Sequence, residues 1–106
     1  MVKSSPETLK EVVDRLVKGL HPEQIYLFGS QVRDRAKESS DIDLLVVVPS
    51  SDLPRHRREA LSYDLLWGLT VPVDVIVLTR DEFQRSGRVK TSLASKVQVE
   101  GKILYG

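Results

Sequence analysis

A chain of 106 residues with 41% apolar content and 6 glycines has the make-up of one small globular domain, spanning 1–106, with a single packed core. Sixteen basic against fifteen acidic residues leave a formal net charge of +1, so there is no footprint for long nucleic acid and any phosphate binding has to be local. With no cysteine there are neither disulfides nor thiolate metal sites. No leader-like opening is present and no apolar run nears the roughly 18 residues of a membrane span, which predicts a soluble, cytoplasmic protein without membrane contact.

In chain order, Ser5 reads as a helix cap with Pro6 at the first helical position. Leu9, Val12, Val13, Leu16, Val17 and Leu20 follow at helical spacing and form a core stripe. His21-Pro22 ends that helix, and Gln24 to Phe28 is the first strand. Ser30 then opens a short helix to about Lys37, whose first N–H groups and dipole favour an anion such as a nucleotide phosphate. Ser30 serves equally as an ordinary N-cap. Gly29 before it and Asp41 after it favour the phosphate role. Arg33, one turn into this helix, suits either a phosphate or a nearby carboxylate.

Asp41-Ile42-Asp43 heads the second strand, Asp41 to Val48. Side chains alternate along a strand, so Asp41 and Asp43 share a face with Cα atoms roughly 6–7 Å apart, while Ile42 and Leu44 point into the core. Two carboxylates so placed repel unless a cation neutralises them. Magnesium, bound by carboxylates, water and phosphate oxygens, is the usual answer, and two such ions suit an in-line phosphoryl displacement. After the turn at 49–52 comes the basic run Arg55-His56-Arg57-Arg58. It is either a solvated helix face or a contact for phosphates or an acidic partner, delivered by the preceding strand to the sheet edge that carries Asp43.

A helix is expected from Leu53 to about Trp67, with Leu61, Leu65 and Leu66 inward and Gly68 as its stop. Trp67 reads as packing, with base stacking the alternative. Val71 to Leu78 is the third strand, β-branched and apolar apart from Asp74. Either Asp74 bonds an Arg or a backbone N–H at a sheet edge, or, if the two strands are neighbours, it completes a three-carboxylate cluster. A short helix starting over Asp81 to Gln84, a last helix marked by Val89, Leu93, Ala94 and Val97, and a strand from Lys102 to Tyr105 close the chain. The whole predicts an α/β (α+β) fold, a small mixed β-sheet flanked by helices.

Gly29-Ser30, Arg33, Ala36, Ser40 to Val46 and Val73-Asp74-Val75 together resemble the minimal nucleotidyltransferases of the DNA polymerase β-like superfamily. The likeness extends over nearly the whole chain. It implies a polymerase β-like fold, nucleotide binding by Gly29, Ser30 and Arg33, and Asp41, Asp43 and Asp74 as catalytic metal ligands. It further implies magnesium as cofactor and a nucleoside triphosphate, ATP above all, as donor. One departure is Asp34, where the family often has Gly; it adds negative charge beside the expected triphosphate. Many members are antitoxins that silence a HEPN-type toxin by adding nucleotide to its tyrosine, so a toxin partner and a protein adenylyltransferase activity are expected. Contact-only neutralisation, or transfer to a small molecule or an RNA end, are the alternatives.

Overall fold

Two runs of β-branched, apolar residues, 42–48 and 73–79, decide the architecture, because each can bury side chains on both faces only if helices cover both sides of the sheet. The computed structural model describes residues 6–28, 42–69 and 72–106. In it the chain forms α1 (Pro6–Leu20), β1 (Gln24–Phe28), β2 (Ile42–Val48), α2 (Arg55–Leu65), β3 (Val73–Thr79), α3 (Arg80–Gly87), α4 (Leu93–Glu100) and β4 (Lys102–Tyr105). The strands make one mixed sheet in the order β3-β2-β1-β4. β2 runs parallel to β3 and antiparallel to β1, which is antiparallel to β4. No described helix is long and apolar enough to cross a membrane.

Alternation along β2 divides the core. Ile42, Leu44, Val46 and Val48 face one side with Ile25, Leu27, Val75 and Val77, and pack on Val12 and Leu16 of α1 and on Leu66. Leu45 and Val47 face the other side with Tyr26, and meet Phe83 of α3 and Ala94 and Val97 of α4. The expected stripe of α1 is thus in place. His21 ends that helix in the left-handed region (φ 51°), its N–H donating to the Val17 carbonyl at 3.0 Å.

Helix α2 departs from expectation. Its buried residues are Arg58 and Ser62, whereas Leu61 is 45% exposed and Tyr63 46% exposed. Leu66 is buried and Leu65 half-buried, as read from the sequence. Burial of Arg58 is tolerated because its whole fork is occupied: it donates to the Leu53 carbonyl at 3.0 Å, the Val77 carbonyl at 2.9 Å and both Glu82 oxygens at 2.8 and 3.1 Å. Side chains of this region also cover the outer edge of β3. The Val75 N–H donates to the Tyr63 hydroxyl, the Val77 N–H to Glu59 and the Thr79 N–H to Glu82.

Trp67 does not pack; it is 85% exposed beyond the end of α2. Its carbonyl and that of Leu65 accept from Arg15, which ties the end of α2 to α1. Gly68 takes φ +91° there, a conformation that glycine adopts without strain, and the chain turns. α3 starts at Arg80, one residue ahead of the expected start, where Thr79 and Glu82 form a capping box. Val89 lies exposed ahead of α4 and Leu93 is exposed at its first turn, so Ala94 and Val97 alone of that set carry its buried face.

Candidate active site

The parallel register of β2 and β3 sets Asp43 directly opposite Asp74. On the other side of β2, Phe28, the last residue of β1, pairs with Asp43. Side chains of register partners share a face, so Phe28, Asp43 and Asp74 form one row across three strands, on the side covered by α3 and α4. The next row inward, Tyr26, Leu45 and Ile76, is apolar and belongs to the core. The two carboxylates therefore stand at the rim, where the packed face meets water. Asp43 is half-buried and Asp74 exposed.

Adjacent strands lie about 4.8 Å apart, which brings both carboxylates within reach of one small cation. Their chemistry suits it: hard oxygen donors of the kind magnesium takes. β3 is an outer strand, so Asp74 does stand at a sheet edge, and among the described residues no ion pair or side-chain hydrogen bond of Asp74 occurs. A full three-carboxylate group is not found among the described residues. Its expected third member, Asp41, lies outside them, as do Gly29, Ser30 and Arg33. The chain nevertheless leaves β1 after Phe28, and enters β2 before Asp43, at this same edge.

The basic run is at the opposite end. β2 leads away from Asp43, and five residues at 3.3 Å put Val48 about 16 Å along the strand. Arg58 there is neither a solvated face nor a phosphate contact. Its guanidinium, followed by the Thr79 backbone bond, holds the Glu82 carboxyl down at about 2 against the cost of burial. Arg55 pairs with Glu59 within α2 at 2.8 Å. Sequence reasoning missed two residues: Arg58 as a buried anchor, whose signal was its i, i+4 spacing to Ser62 and its approximate helical spacing to Leu66, and Phe28 as the cross-strand neighbour of Asp43.

A model of the nucleotidyltransferase domain family matches residues 6–103. The chain belongs to that family. Among solved structures, this nucleotidyltransferase domain is similar to a chain of a toxin-antitoxin complex determined with AMP-PNP, at 25% identity over 92% of this chain and 72% of that one, with a TM-score of 0.66. It is similar to a chain of a mutant MntA-HpeT toxin-antitoxin complex, at 26% identity over 92% and 72%, with a TM-score of 0.62. A Sulfolobus solfataricus protein, itself only provisionally assigned as a nucleotidyltransferase, shares the fold at 24% identity over 90% and 74%, with a TM-score of 0.63. Comparison with curated proteins gives no significant match. The minimal-nucleotidyltransferase likeness and the mixed sheet flanked by helices, both expected from the sequence, are thus shown.

Proposed function

We propose that this nucleotidyltransferase domain transfers a nucleoside monophosphate from ATP to a tyrosine hydroxyl of a toxin partner in the cytoplasm, acting as a protein adenylyltransferase and antitoxin. The pairing of Asp43 with Asp74, across neighbouring strands of a chain in this family, carries the reading. The toxin-antitoxin neighbours, one determined with AMP-PNP, support the partner and the nucleotide.

Asp41, Asp43 and Asp74 would hold one or two magnesium ions, whose chemistry is to neutralise phosphate charge and polarise the reacting phosphorus. Gly29 lets the backbone approach the triphosphate, and Ser30 and the N–H groups after it bind its β and γ phosphates. Arg33 would add a positive charge for the phosphates. Asp74, its side chain exposed on the edge strand, orients the acceptor hydroxyl and accepts its proton as the oxygen attacks the α-phosphorus and pyrophosphate leaves.

Incubating the chain with the protein encoded beside it, magnesium and each nucleoside triphosphate tests this. Peptide mass spectra should show the partner's tyrosine carrying nucleoside monophosphate, with ATP preferred, and its toxicity should be lost. Asp41→Asn should bind the partner and leave it unmodified and toxic. If that variant protects cells as well as the parent, contact alone neutralises the toxin; if only a small molecule or an RNA end is modified, the acceptor assignment fails.

A further inference from the structure

Helix α2 turns towards solvent a stripe that its own fold does not use. Leu53, Arg57, Ala60, Leu61 and Asp64 line one shallow groove along its outer side, every one of them exposed, and Trp67 projects just past its end. The Trp67 backbone is held, its N–H donating to the Asp64 carbonyl and its own carbonyl accepting from Arg15 at 2.9 Å. Large apolar side chains exposed together on a fixed backbone mark a contact surface.

The order of residues along the stripe indicates what fits it. Arg57 and Asp64 are each three residues from the Ala60-Leu61 step, on opposite sides of it. A two-fold axis through that step brings Arg57 of one copy against Asp64 of the other, and the reverse. It also sets small Ala60 against Leu61, and Leu53 beside the turn that holds Trp67. Such reciprocity is the defining property of an isologous interface. Among the described residues neither Arg57 nor Asp64 has an ion-pair partner within its own chain.

From this charge complementarity we propose that two copies of the chain pack their α2 helices antiparallel about a two-fold axis at Ala60-Leu61. The proposal does not depend on the transfer reading. An 11-residue helix buries a small contact, so the dimer is a weak one, with a dissociation constant in the micromolar range.

Sedimentation velocity from about 1 to about 500 μM should show a monomer passing to a dimer. Trp67, the sole tryptophan, should shift its emission to the blue over the same range. Arg57→Asp and Asp64→Arg each set two like-charged pairs across the axis and should weaken the dimer at least about tenfold. The double reversal, Arg57→Asp with Asp64→Arg, should restore it to within about threefold. Both changes suit the helix dipole, so loss of α2 does not account for a weaker dimer, and circular dichroism checks this. A Leu61→Glu variant should be monomeric throughout. A parent chain still monomeric at the top concentration, single reversals without effect, or a double reversal that fails to restore association each overturn the proposal, the last assigning the stripe to a different molecule.

Discussion

At the C-terminal end of the parallel pair β2–β3, Arg58 meets Glu82, opposite charges that the fold encloses and hydrogen-bonds to carbonyls and a capping turn. At the N-terminal end of the same pair Asp43 meets Asp74, like charges facing each other across the ladder. One ladder thus carries two treatments of charge. Where the fold supplies the counter-charge itself, the residues hold elements together. Where it sets two acids side by side at the rim, it gathers hard oxygen donors of the kind a small cation takes.

The largest effect expected from this contrast is at the acidic end. Asp43→Asn should lower nucleotide transfer by at least about 1,000-fold, on the order of 4 kcal/mol of barrier. The metal-free melting temperature should hold or rise, because a repulsion is removed while shape is kept. Labelled-ATP transfer and thermal melts on the same samples check both halves, and equal activity of variant and parent would sink the site assignment. The converse belongs to the basic end. Arg58→Met should cost about 2–4 kcal/mol in urea denaturation by stranding the Val77 carbonyl and Glu82, while sparing turnover per folded molecule.

Acid should find the same end next. The Glu82 carboxyl is depressed in the folded chain, from 4.5 to about 2. Its contribution is therefore fully present above pH 4.5 and is lost as pH falls towards 2. Because the side chain is 33% exposed, the loss should be about 1–2 kcal/mol, seen as a fall in the urea midpoint that Glu82→Gln flattens. Smallest of all should be Arg85→Gln. It breaks a pair with Asp81 in which both side chains are more than half exposed, and it should stay within about 0.5 kcal/mol. A large loss there would mean that exposure is a poor guide to which ion pairs matter in this fold.

The acidic end was legible in the sequence and the basic end was not. Asp43 and Asp74 interrupt runs that are otherwise apolar and β-branched, so their strands, and a carboxylate near the head of each, could be read directly. Their pairing could only be conditional, because register is a long-range property. Arg58 looks like any member of a charged run. Its partner Glu82 lies 24 residues away, and nothing local distinguishes a buried guanidinium from a solvated one. Leu61 was misread for the complementary reason: apolar residues in a helix are expected inside, yet here Arg58 and Ser62 hold the inner side. The α3 capping box, Thr79 to Glu82, was visible as a spacing and would have set the start of that helix at Arg80. The place of the basic run at the far end from Asp43 follows from strand direction alone.

The side chains along β3 have a further effect, on how these molecules behave at high concentration. Bare amide groups on an outer strand invite another chain to add to the sheet, which is the first step towards fibrils. Here the outward N–H groups of Val75, Val77 and Thr79 already have acceptors, in Tyr63, Glu59 and Glu82. That border is closed to an incoming strand. The other border is β4, four residues long and beginning with Lys102, so both its length and its charge discourage templating. A Tyr63→Phe chain would offer a free amide at Val75, and should seed amyloid-like aggregates sooner than its parent.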